Sequence, residues 1–206
     1  MNIRSYIGQL NYAVRRYLEL RRLDKSSSNR QSPVECKLVS VSYRTALWCV
    51  PIPGQSDVFM STCSAAIDDE FFVVHVDTEA FYRHWLAGAP LNGKRRSADC
   101  KLRCEMPSDY KYEGAVRGFS HGQTNPVPLA DAGAWLDGKK ARIGFTNGIT
   151  RTFWLISNRA PAFPIQVHGE ESAKLLHKIA GLGSGPLCFE SLFKPQKMHA
   201  EITGRL

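Results

Sequence analysis

The stretch that most limits what this chain can fold into is Lys140 to Val167, KARIGFTNGITRTFWLISNRAPAFPIQV. Its first six residues alternate toward Ile143 and Phe145 as a strand does, Thr146-Asn147-Gly148 breaks the alternation, and Ile149 to Ser157 is an apolar run of helical length. Phe163 to Val167 reads as the next strand. A strand that turns at a glycine into a helix leaves the N–H groups of the first helical turn unpaired and electropositive at the strand's end, which suits a phosphate. Gly148 lets the main chain approach an anion closely, Thr150 offers a hydroxyl, and Arg151 supplies a planar fork of donors. The loop Asn147 to Arg151 is the expected phosphate-binding element, through Asn147, Gly148, Thr150 and Arg151.

The remaining sequence frames this loop. A chain of 206 residues is long enough for one full domain and short for two, and its 43% hydrophobic and 22% charged content excludes a disordered or fibrous chain. No apolar run approaches bilayer-spanning length and the N-terminus lacks the apolar core of a signal peptide, so the bacterial cytoplasm is the expected compartment. The six cysteines, at 36, 49, 63, 100, 104 and 188, are expected as reduced thiols; Cys100 and Cys104 lack a second pair at zinc-finger spacing. A net charge of +8 favours anionic partners such as nucleic acid, nucleotides or acidic lipid headgroups.

Residues 1–25 place Ile3, Ile7, Leu10, Val14 and Leu18 on one helical stripe. Six cations against two carboxylates give this segment a net +4, half of the chain's +8. Its stripe packs on the domain, lies on an anionic membrane surface, the cytoplasmic face of the inner membrane being the available one, or contacts a partner helix. Residues 26–32, SSSNRQS, read as a linker, residues 33–186 as the domain and residues 187–206 as a C-terminal tail. Cys36 to Val41, Ala46 to Ile52, Val58 to Thr62 and Phe71 to Val76 read as strands, followed by a helix capped by Asp77 that runs from Thr78 to Ala87 with Phe81 and Trp85 in the core. A helix is expected over Asp109 to Phe119. Asn125-Pro126-Val127-Pro128 leads into a strand through Leu136, Asp137-Gly138 turns it back as a hairpin, and Glu170 to Ala180 is a last helix ended by Gly181.

Other motif matches fall away. Gly88 to Lys94 meets all but the last position of the Walker phosphate loop, but Arg95 stands where the magnesium-ligating Ser or Thr belongs and the segment follows a helix; Lys94-Arg95-Arg96 remains only as a basic loop. The glycines of Gly181 to Gly185 end a helix and precede Pro186, unlike a dinucleotide loop. No metal-binding histidine pair or Ser-His-Asp order is visible, and His121, in a loop beside Gly122, is the one histidine placed to act as acid or base.

Gly148-Ile149-Thr150-Arg151, set between two strands, resembles the Gly-x-x-Arg element of the ParB/sulfiredoxin superfamily. Val76-Asp77 ahead of Phe81 and Trp85, then Asn125-Pro126-Val127-Pro128-Leu129 and Phe145-Thr146-Asn147-Gly148, are similar within it to the plasmid fertility-inhibition factors of the Osa and FiwA type. The resemblance implies an α+β fold, a ParB/sulfiredoxin-like mixed sheet with flanking helices, as a single domain behind an N-terminal helix. It implies an ATPase and DNase, with ATP as ligand, magnesium as the accompanying divalent metal and Arg151 stabilising charge on the phosphoryl group. Ile149 and Thr150 stand where sulfiredoxins carry their catalytic cysteine, so sulfinic-acid reduction is not implied. Candidates for a general base or metal carboxylate are Glu113, Asp131 and Asp137, by nearness in the chain. The rival expectation is a basic binding protein without chemistry, which occludes DNA without regard to sequence or covers the coupling ATPase of a type IV secretion system.

Overall fold

The computed structural model describes residues 3–63, 70–90 and 99–193. The architecture is α+β, with two mixed sheets and flanking helices around one hydrophobic core. In the first sheet, β1 (Lys37–Val41), β2 (Thr45–Val50) and β3 (Val58–Cys63) meander antiparallel, and the two-residue β5 (Val127–Pro128) joins β3 in parallel. The second sheet has the order β7-β6-β8-β4-β9. Its strands are β4 (Phe71–Asp77), β6 (Ala130–Asp137), β7 (Lys140–Asn147), β8 (Ala162–His168) and β9 (Leu187–Cys188). The mixed α+β architecture expected from the sequence is present, with its strands divided between two sheets. They meet where Trp48 of β2 sets an edge against His75 of β4 and Thr62 of β3 donates to Gln166 of β8 at 2.7 Å.

The helices form where their caps and apolar spacing place them. Asp77 caps α2 (Thr78–Gly88) by accepting from the Glu79 and Ala80 N–H groups. The fully buried Phe81 and nearly buried Trp85 of α2 meet Phe145, and Trp85 stacks at 5.3 Å on Phe153 of α4 (Ile149–Ser157). A 3-10 turn at Arg103–Ser108 precedes α3 (Tyr112–Ser120), so the helix expected over Asp109 to Phe119 starts three residues later. α5 (Glu170–Ala180) buries Ala173, Leu176 and Ala180. Lys94-Arg95-Arg96 lies outside the described residues.

Two differences from the sequence reading concern the ends. Helix α1 (Ile3–Asn29) continues through Ser26-Ser27-Ser28-Asn29, and the face it packs is not the apolar stripe: Leu10, Val14 and Leu18 are 50–59% exposed, while Tyr12, Arg16 and Leu23 are buried. The cause is Arg16, whose guanidinium donates to the carbonyls of Leu86 at 2.9 Å and Ala87 at 2.7 Å. These carbonyls lie in the last turn of α2, where helical partners run out; that of Leu86 also accepts from the Ala89 N–H at 3.2 Å. Residues 187–193, expected within a tail, instead add β9 to the edge of β4 and bury Phe189, Leu192 and Phe193.

Candidate functional site

The strand, glycine turn and helix of the opening stretch are present as β7, Gly148 and α4. Gly148 has φ +90°, and a Cβ there would stand 2.6 Å from Arg151 Nε and 2.7 Å from Ala130 Cα. The position therefore admits only glycine, both for its left-handed backbone and for the space. No side chain caps α4. The first helical N–H with a partner inside the helix is that of Thr152, donating to the Gly148 carbonyl at 3.1 Å, so those of Ile149, Thr150 and Arg151 have none there.

These residues form one wall of a groove of about 520 Å³. Asn147, Gly148, Thr150 and Arg151 all line it, as does His121. The opposite wall comes from Asp109-Tyr110-Lys111 ahead of α3, which the sequence reading did not connect with the loop, and from Asn125 to Pro128. Their placement follows from packing. Phe119 of α3 stacks at 4.2 Å on Trp154 of α4, the Tyr112 and Ser157 hydroxyls share a hydrogen bond of 2.6 Å, and β5 pairs Val127 with Met60 of β3. The quoted Asn-Pro-Val-Pro run was the one sequence signal that pointed to this wall.

The electrostatics are cationic. Arg151 donates through Nη1 to the Pro128 carbonyl at 2.7 Å; burial lowers its proton affinity, and the Asp131 carboxylate opposes this. Lys111 stands over the Tyr110 ring at 5.2 Å. His121 Nδ1 lies 3.3 Å from the Asn125 amide, an arrangement that leaves the neutral ring's proton on Nε2 when the amide donates. The one carboxylate lining the groove is Asp109. Burial pushes it up, but the Lys101 ammonium at 2.7 Å and the Lys111 N–H outweigh this and hold it below the usual carboxylate range.

The three carboxylates nominated from the sequence do not converge here. Asp131 pairs across the ladder with Asn147 and sits beside Arg151, and burial raises its pKa. Glu113 is exposed on α3 and Asp137 is bound to Arg142 at the far hairpin; neither lines the groove. Among the described residues no three His, Cys, Asp or Glu side chains gather as a metal would need, so the groove's own residues do not fit a protein-held divalent metal. All six cysteines are free, and burial drives the Cys36 thiol up to about 12 and Cys100 well above its ordinary value. No described helix is long and apolar enough to cross a membrane.

Comparison with known proteins gives a concordant result. Residues 73–181, which include α2, the Asn-Pro-Val-Pro run and the Gly-x-x-Arg loop, match the family described as Plasmid Fertility inhibition factor. The chain is similar to Protein osa of Shigella flexneri, with 36% identity over 172 residues, covering 82% of this chain and 88% of that protein. It is also similar to the crystal structure of Oncogenic Suppression Activity Protein, a plasmid fertility inhibition factor, in its gold(I) cyanide derivative. That likeness has a TM-score of 0.78 and 33% identity, and covers 94% of this chain and 98% of the other. On sequence, fold and the residues that carry both, this chain belongs to the plasmid fertility inhibition factor family.

Proposed function

We propose that this fertility inhibition factor binds ATP in the groove between α3 and the start of α4, and that it blocks conjugative or T-DNA transfer by hydrolysing ATP and DNA there. The observation that carries the reading is the convergence of Gly148, Thr150 and Arg151 with Lys111 and His121, from distant parts of the chain, on one groove. Arg151 uses one donor on Pro128 and keeps the rest of its fork for phosphate oxygens. The uncapped N–H groups of α4 add positive potential at the same place. His121, as a donor through Nε2, serves a leaving oxygen better than it serves as a base. Magnesium enters in this reading with the triphosphate, because the groove offers it only Asp109, already held by Lys101.

That single engaged carboxylate also favours a second reading, in which the groove binds without chemistry and the protein occludes DNA or the coupling ATPase of a type IV secretion system. Purified protein incubated with ATP, magnesium and linear DNA separates the two. Hydrolysis of both by wild type, with loss of both in Arg151→Ala of unchanged circular dichroism, is expected from the first reading. Inactive wild type that still binds DNA would establish the second.

A further inference from the structure

Beyond the groove, α4 borders a second concavity at its other end. This cleft, of about 620 Å³, lies between α1, the 3-10 turn and the residues after α4; it is lined by Arg15, Arg22, Arg103 and Arg159 over Leu18 and Leu102. Glu19 is the one carboxylate among its lining residues. Arg22 is held by Glu19 and Arg15 by Glu105, which orients two guanidinium groups while taking only part of each fork; Arg103, held by Glu79, is buried and supplies positive charge behind them. The Arg159 side chain makes no hydrogen bond or ion pair among the described residues. Arg159 also has φ +60°, the only positive φ among the described non-glycine residues. An unpaired arginine thus occupies a left-handed position that glycine or asparagine would fill with less strain.

A further feature lies along the same surface. Tyr110, 80% exposed, carries Lys111 over its ring and lines the groove. Cleft and groove share their walls: Arg103, Cys104 and Pro107 border one and Asp109-Tyr110-Lys111 the other, while Ser157 and Ile149 bound them from opposite ends of α4. At the helical rise those ends are about 12 Å apart, a span of a few nucleotides.

We infer that the arginine cleft docks the phosphodiester backbone of a single-stranded polynucleotide, with the exposed Tyr110 ring as a stacking surface, and feeds the strand toward the Gly-x-x-Arg groove. Guanidinium forks suit phosphate oxygens, and an exposed aromatic ring beside them suits a strand whose bases are unpaired. The inference rests on the proposed activity only for what happens at the groove; the docking itself stands apart from it.

The test measures a fluorescein-labelled oligothymidylate of about twelve nucleotides by anisotropy across a salt series, with wild type and the double variant Arg22→Gln, Arg159→Gly. Glycine at the left-handed position removes strain, so the variant is expected to melt no lower than wild type. Its affinity should fall about tenfold or more, and the slope of log K against log salt should shrink by about 1.4, two phosphate contacts at about 0.7 each for a single strand. ATP binding by calorimetry should stay at the wild-type value. A wild type that does not bind the oligonucleotide, a variant with wild-type affinity and slope, or tighter binding of the matched duplex would overturn the assignment. So would equal displacement by a polyglutamate of the same charge, which would assign the cleft to an acidic protein segment. Were ATP and DNA hydrolysis absent while the oligonucleotide result held, the proposed activity would fall and the cleft would remain.

Discussion

Replacing Gly148 by alanine tests how far the site is a matter of space. The substitution forces an L-residue into φ +90°, which costs about 1–2 kcal/mol. It also inserts a methyl group 2.7 Å from Ala130 Cα, part of the β6 backbone that cannot swing aside, and 2.6 Å from Arg151 Nε. Overpacking of this kind costs about 1–3 kcal/mol, so the sum centres on about 3.5 kcal/mol. For a chain of this size that corresponds to about 7–14 °C in melting temperature. Gly54→Ala is the control, because Gly54 also has positive φ, +72°, but no atom within 4 Å of where its Cβ would stand. Urea unfolding should therefore separate the two variants by the crowding contribution alone, about 1–3 kcal/mol. Calorimetry with ATP should show weaker binding in Gly148→Ala, because the new methyl displaces the Arg151 guanidinium. Equal stability of the two variants would refute the argument that Gly148 is required by its neighbours as well as by its backbone.

Arg151→Ala should behave oppositely: its one hydrogen bond to Pro128 is exposed, so unfolding stability should change by less than about 1 kcal/mol while ATP binding weakens by about 1.5–3 kcal/mol. An unchanged dissociation constant would move the site elsewhere. His75 is expected to make the fold acid-sensitive. Burial lowers its pKa, partly offset by Glu35, and its Nδ1 has no partner, so the unfolded chain takes up the proton first and stability is lost as pH falls below about 6.5. His75→Phe should flatten that loss in urea titrations between about pH 7 and pH 5, and an unaltered pH profile would rule His75 out as the cause. Arg16→Met should cost about 1.5–3 kcal/mol in the same assay, since it removes the charged donor from two carbonyls at the end of α2 and leaves that of Leu86 only the Ala89 N–H; a change below about 0.5 kcal/mol would mean that the other contacts of α1 hold it in place.

The strands and α2 were legible because local pattern and tertiary role agree in them. Val73, Val74 and Val76 are buried in β4 as their β-branched run suggests, and Asp77 caps the helix that follows it. Where the two disagree, local pattern does not tell which face is buried. Hydropathy found the stripe Leu10, Val14 and Leu18 on α1, but the buried face is organised by a charged residue, and no periodicity of apolar residues can reveal that an arginine will spend its donors on another helix. The glycines after α5 were legible only as the end of a helix, for a comparable reason. Gly183, at φ +74°, would place a Cβ 2.1 Å from the Glu35 carboxylate, so it is the close approach of a segment about 150 residues earlier that requires it. The chain then continues into β9 and buries Phe189 and Phe193.

The groove was half legible for the same physical reason. Gly148 and Arg151 stand three apart, one helical turn, so any strand–glycine–helix reading stacks the guanidinium over the position where a Cβ is missing, and here Arg151 Nε occupies that space. The opposite wall depends on β5 entering the first sheet in parallel beside β3, with Leu129 N–H donating to the Ser61 carbonyl at 2.8 Å. A parallel pairing of two residues across more than sixty leaves no local signature. Yet that pairing sets the site's geometry, because Pro128 has no N–H to give the sheet and its carbonyl is the one that accepts from Arg151 Nη1. Glycine on one side and proline on the other fix the arginine by its Nη1, and the donors that remain on its fork are those a phosphate would take.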